Sequence, residues 1–153
     1  MEVKTFTSRQ FVGLSTRTNN HYEQTEADGK IARLWKTFYQ NYASLLEDNT
    51  MLYGIYSHYE SDQHGDYTIT VASDTPGLLG QVDNDSALQI FSFSGGRYLS
   101  FAAQGEMPQT AIRLWELVWR YFEQSDCPHQ RAFGQDIEIY HQSNEVEIAI
   151  SIV

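Results

Sequence analysis

The 153-residue chain carries 10 Lys plus Arg against 20 Asp plus Glu, a formal net charge of −10, with one Cys and 14% aromatic residues, 10 of them Tyr. Its length suits one domain spanning residues 1–153, which buries about 68–70% of the surface its unfolded chain exposes and needs no metal or disulfide staple. The single Cys127 excludes an internal disulfide, and the acidic balance with scattered basic residues argues against direct nucleic-acid binding. With no N-terminal apolar run and no membrane-length apolar stretch, the expected location is the cytoplasm, away from the membrane.

Strand patterns are predicted over residues 11–18, 52–59, 67–73, 88–93, 97–103, 135–140 and 146–152. The last is the clearest: Val146, Ile148, Ile150 and Ile152 alternate with Glu147, Ala149 and Ser151, the period of a strand with one buried face. Two segments carry the helical period. Over 29–46, Ile31, Leu34, Trp35, Phe38, Tyr42 and Leu45 form one stripe, with Asp28 as the expected N-cap. Over 108–124, Ala111, Leu114, Trp115, Val118 and Phe122 repeat behind Pro108, which suits a helix start. Asp62 to Gly65 and Gly95-Gly96 read as turns. Residues 74–87 combine Pro, Gly, Asn and Asp without periodicity and read as a long surface connection.

The chain repeats itself. Ala32-Arg33-Leu34-Trp35 recurs as Ile112-Arg113-Leu114-Trp115, and Asp66-Tyr67-Thr68-Ile69-Thr70-Val71 parallels Glu145-Val146-Glu147-Ile148-Ala149-Ile150. Strand, helix, strand, strand thus occurs twice, in a first repeat over about residues 1–74 and a second over about 88–153. The expected fold is α+β: two intertwined βαββ units sharing one mainly antiparallel sheet about a pseudo-two-fold axis, both helices on one side, with a cleft between the halves.

In Asp136-Ile137-Glu138-Ile139-Tyr140 the two Ile face one side of a strand, so Glu138 and Tyr140 face the other. Were that side solvated, Glu138 would be an ordinary surface carboxylate. Were it to face the cleft, the carboxylate would be desolvated, and an isolated buried carboxylate takes up a proton or is compensated by a cation. Trp35, Trp119 and Phe122 suit packed helix faces.

The order and spacing of six short segments resemble the GyrI-like, or AraC-type, effector-binding domains, which also form the drug-binding half of BmrR-like multidrug regulators. These are Phe11-Val12-Gly13-Leu14, Leu34-Trp35, Tyr53-Gly54-Ile55-Tyr56 before Gly65-Asp66-Tyr67, Gly96-Arg97-Tyr98, Pro108 with Trp115, and Asp136-Ile137-Glu138-Ile139-Tyr140. The resemblance implies the duplicated βαββ fold and a cleft that binds cationic, aromatic small molecules around one buried Glu, which maps onto Glu138. It implies Trp115 as a cleft wall, Trp35 as its symmetry mate, and Tyr56 and Tyr98 on strands flanking the cleft; a one-residue slip in register would exchange Tyr56 for Tyr53.

Other signals are weaker. His58, Asp62, His64 and Asp66 fit no metal template and sit at a hairpin tip, Cys127 and His129 lack a catalytic signature, and Gly77 to Gly80 lacks the Lys-Ser/Thr of a phosphate loop, so neither metal nor cofactor is expected. Three functions remain open. One is a stand-alone binding domain without a preceding DNA-reading segment, capturing lipophilic cations and acting by sequestration or through a regulator or other protein partner. The second is a small-molecule hydrolase with Glu138 as general base. The third is a partner-binding protein whose cleft is filled.

Overall fold

Among the residues described by the computed structural model, 1–141 and 144–153, eight strands pair antiparallel in one sheet. They are β1 (Glu2–Phe6), β2 (Arg9–Thr18), β3 (Leu52–Ser57), β4 (Tyr67–Ser73), β5 (Gln89–Phe93), β6 (Gly96–Gln104), β7 (Asp136–His141) and β8 (Glu145–Ser151). The helices are α1 (Asn20–Thr25), α2 (Lys30–Tyr42), α3 (Pro76–Leu79) and α4 (Gln109–Glu123). The sheet order β1-β6-β8-β7-β3-β4-β2-β5 reads the same when the first four strands are exchanged with the last four, so the duplicated topology of the sequence is realised about the central β3–β7 pair.

The sequence pattern misses β1. Its residues are mostly exposed and carry no apolar alternation, so only pairing reveals it. This strand is the counterpart of β5, and the two are exchanged: β1 pairs with β6 of the second half, and β5 with β2 of the first. The β1–β2 and β5–β6 links therefore come together. Gly95 holds φ +74 there, and a Cβ on it would stand 2.5 Å from the Phe6 carbonyl oxygen, so close backbone approach requires glycine.

The two faces of the sheet pack differently. On one, α4 lays Ala111, Leu114 and Val118 over Leu99, Phe101, Val146, Ile148 and Ile150, while α2 sets Phe38 and Tyr42 against Val12, Leu14 and Val71. These are the helical spacings and strand alternations read from the sequence. On the other face no helix contributes among the described residues: Phe11, Tyr53, Ile55, Phe93, Tyr98, Ile137 and Ile139 pack on one another.

The start of α2 corrects an expectation. Asp28 is not the N-cap; Gly29 holds that position without a side-chain cap. The missing acceptor comes from α1, whose Glu23 carboxylate accepts from the Lys30 and Ile31 N–H groups at 3.1 and 2.7 Å. Asp28 instead lies 3.7 Å from Arg33. The connection over 74–87 is not wholly superficial either: it contains α3, whose Leu78 is fully buried in the α2 core. No helix among the described residues is long and apolar enough to cross a membrane.

Candidate functional site

At the centre of the sheet, Gly54 on β3 pairs with Glu138 on β7. Tyr56 and Tyr140 each lie two residues beyond that pair on their own strand, so antiparallel geometry sets them on either side of the Glu138 carboxylate. Glu138 is only 3% exposed. Its Oε1 accepts from the Tyr56 hydroxyl at 3.1 Å, and its Oε2 accepts from the Trp115 indole N–H at 3.0 Å and the Tyr140 hydroxyl at 3.2 Å. The site thus draws donors from both halves and from α4. Gly54 makes the carboxylate's position possible, because a Cβ there would lie 2.6 Å from Oε1.

Burial raises the Glu138 pKa above the ordinary carboxyl value, and the three donors hold it back by stabilising the charged form. The same burial, reinforced by the Glu138 charge, pushes the Tyr56 and Tyr140 hydroxyls up, so both stay protonated and donate. Among the described residues no Lys, Arg or His is within ion-pair distance of Glu138. This buried carboxylate has neutral donors and no protein counter-ion.

Above it lies a cavity of about 520 Å³ between α2 and α4, with α1 as a side wall. Its lining joins Glu138 to Trp35, Tyr56, Tyr67, Trp115 and Tyr140. Trp115 meets Tyr56 edge-on at 5.1 Å, and Trp35 meets Tyr140 edge-on at 5.3 Å, so the two tryptophans of the repeated motif stand over the two flanking tyrosines. Among the described residues no Lys or Arg covers any of these four rings.

Of the residues singled out in the sequence, Glu138, Trp115, Tyr56 and Trp35 come together at this cavity. Tyr98 does not. It is 2% exposed on the opposite face, edge-on to Phe6 and Phe93, because β6 turns Leu99 and Phe101 toward α4 and Tyr98 away from it. The strand paired with β3 across the centre is β7, which supplies Tyr140, whereas β6 lies beyond β8. The register of β3 places Tyr56 in the cavity and Tyr53 on the far face.

The sequence reading missed Tyr59, Tyr67 and α1 as walls, and took Trp119, which also lines the cavity, for core. One signal for α1 was present: Asn19 accepts from the Tyr22 N–H at 2.7 Å as a conventional N-cap. The hairpin polar residues serve local structure: Asp62 accepts from the His64 backbone N–H, Asp66 from the Asn19 amide, and His58 is hydrogen-bonded to Ser57.

A crystal structure of an integron cassette protein from the mobile metagenome of Vibrio cholerae is 38% identical, with a TM-score of 0.89 over 99% of this chain and 95% of that one. The putative transcriptional regulator protein YobU of Bacillus subtilis (strain 168) is 28% identical over 145 residues, 90% of this chain and 84% of that protein. The fold is shared with SAV2435, solved bound to tetraphenylphosphonium, at 18% identity and a TM-score of 0.70 over 99% of this chain and 93% of that one. The family described as Cass2, integron-associated effector binding protein, matches residues 2–152. A buried Glu ringed by aromatic side chains in a cleft of the duplicated sheet, together with that match across the chain, makes this protein a member of the integron-associated effector-binding family, related to the GyrI-like and AraC-type effector-binding domains.

Proposed function

We propose that the domain captures lipophilic aromatic cations, with Glu138 as charge anchor and Trp115, Tyr56, Trp35 and Tyr140 as the enclosing walls. The observation that carries this is the buried Glu138 carboxylate, oriented by three neutral donors and facing an aromatic cavity without a protein cation. An organic cation entering the cavity would supply the missing charge, and each ring face it meets contributes about 0.5–2 kcal/mol according to desolvation. The tetraphenylphosphonium held by SAV2435 supports the choice of ligand class. Binding is favoured over hydrolysis because the donors already occupy three lone-pair positions on the carboxylate that a general base would turn toward water. The name of YobU supports a regulatory setting, in which ligand occupancy is sensed by a partner or removes the compound from solution.

Titration with tetraphenylphosphonium by calorimetry and by tryptophan fluorescence tests the reading. The expected outcome is saturable one-to-one binding that weakens by about 30-fold or more in Glu138→Gln, the scale of removing one member of a desolvated charge pair. Equal affinity in the variant, or no binding by the parent protein, overturns charge anchoring.

A further inference from the structure

The cavity over Glu138 is lined by a further carboxylate far from its floor. Glu23 stands in the α1 wall, with the exposed Glu26 one turn on, and among the described residues the lining holds no Lys, Arg or His. The Glu23 carboxylate itself lies against lining residues. A Cβ on Gly29 would stand 3.2 Å from its Oε1, and the same oxygen accepts from the Ile31 N–H at 2.7 Å; Gly29 and Ile31 both face the cavity.

Glu23 and Glu138 are built alike. Each accepts from three neutral donors, which for Glu23 are the Lys30 and Ile31 N–H groups and, at 3.2 Å, the Thr18 hydroxyl. Each lies beside a glycine whose missing Cβ leaves it room, Gly54 for Glu138 and Gly29 for Glu23. Among the described residues neither has a Lys, Arg or His within ion-pair distance. Lys30 turns its ammonium elsewhere, to the Arg17 carbonyl at 3.2 Å and over the Tyr22 ring at 4.9 Å. The N-terminus of α2 offsets Glu23 by about half an elementary charge, which leaves the carboxylate net negative.

Tyr67 joins the two. Its ring tilts against that of Tyr56 at 5.3 Å, the tyrosine that donates to Glu138, and its hydroxyl donates to Asn20 of α1 at 2.9 Å. Burial first, and then the charges of Glu23 and Glu138, push the Tyr67 hydroxyl up, so both carboxylates act on one ring of the wall.

We propose that the cavity selects organic dications, with one charge on Glu138, the second on Glu23 and the spacer along Tyr67. The inference rests on the reading of Glu138 as charge anchor and adds a second anchor to it. A monocation at the floor leaves Glu23 facing the cavity without a counter-charge, whereas a dication of matching length meets both carboxylates. Coulomb attraction at the α1 wall is weaker than at the buried floor, because Glu23 is only half-buried and water screens it.

The test is a series of bis-quinolinium alkanes of increasing linker length, each titrated beside the mono-quinolinium analogue with the same linker. Two identical heads give the dication a statistical advantage of about two-fold. At one spacing the affinity ratio should exceed that by about five-fold, the upper end for an ion pair open to solvent. In nitrogen-15 spectra the Lys30 N–H, which reports on the Glu23 carboxylate without lining the cavity, should move with that dication and not with its mono-cationic analogue. Glu23→Gln, which keeps a cap acceptor, should return the ratio to the statistical value. Asp83→Asn, which removes one exposed charge elsewhere on this acidic chain, should leave the ratio as it is. Three results overturn the proposal: no spacing with an excess advantage, a Lys30 N–H that responds equally to both ligands, or a ratio that falls as far in Asp83→Asn as in Glu23→Gln. A mono-quinolinium that binds through Glu138 without any such advantage removes the second anchor alone. Mono-quinolinium compounds that do not bind the parent protein remove the Glu138 reading and this one with it.

Discussion

Alternate residues of the same two central strands build opposite things. Ile55, Ile137 and Ile139 join Tyr53, Phe11 and Phe93 in a packed face, while one position away Tyr56, Glu138 and Tyr140 line a cavity. Both faces are rich in aromatic rings, so composition does not separate them. Coverage does. The packed face is filled by the exchanged strands, whose Phe6 and Phe93 interlock with Phe11 and Tyr98, whereas the other is covered by two helices that stand over the outer strands and leave the β3–β7 pair roofed by indoles. A strand pair can thus carry a solid core on one side and a binding site on the other, because its side chains alternate.

Four perturbations sharpen that contrast. The largest effect belongs to the packed face: Phe11→Ala removes a fully buried ring that tilts against Tyr53 at 4.4 Å, and should cost about 3–5 kcal/mol of unfolding free energy. Denaturant unfolding measures it, and the affinity of the remaining folded protein for tetraphenylphosphonium should stay that of the parent. A large affinity loss would show that the faces are not separable.

On the cavity face, Gly54→Ala brings a methyl to 2.6 Å from Glu138 Oε1 and must displace the carboxylate. Overpacking of this kind costs about 1–3 kcal/mol, and here the loss should appear in ligand affinity at least as strongly as in thermal stability. Parent affinity in this variant would mean that the position of the carboxylate is unimportant. Trp115→Phe keeps a ring but deletes the indole donor to Oε2. Affinity should fall several-fold, in proportion to the 0.5–1.5 kcal/mol of a hydrogen bond, and the Glu138 pKa should rise further. Carboxyl carbon NMR of Glu138 reads that shift directly, and a fall would contradict the assigned role.

The smallest effect is the pH dependence. Because the Glu138 pKa is raised above 4.5, its proton competes with a permanent cation below that raised value. Tetraphenylphosphonium affinity should therefore increase as pH rises through it and level off above, with proton release on binding in the lower range. Linkage makes the corresponding change in the unliganded protein opposite in sign: ionising a carboxyl whose native pKa exceeds its unfolded one lowers stability as pH rises from the unfolded to the native value. Glu138→Gln should flatten both curves. A parent curve as flat as that of the variant would remove Glu138 from the titration.

Much of the fold was legible because it rests on periodic patterns. The stripes of α2 and α4, the alternation of β8 and the recurrence of Leu34-Trp35 as Leu114-Trp115 read directly as a duplicated α+β sheet with helices on one face. The same alternation set Glu138 and Tyr140 together against Ile137 and Ile139. Features without a period were not legible. The strand β1 is defined by its partner β6, the brief helix α1 by a single cap, and the anchoring of α3 by Leu78 alone.

Local pattern thus determined which residues share a face, since side-chain direction follows from backbone repeat and needs no knowledge of neighbours. It did not determine what each face meets. That Tyr98 is core while Tyr140 reaches the carboxylate, that Glu23 of one helix caps another, and that room remains above Glu138 all depend on strands and helices distant in sequence. Burial and hydrogen bonding at those contacts are properties of the assembled chain, and the chemistry of Glu138 arises only there.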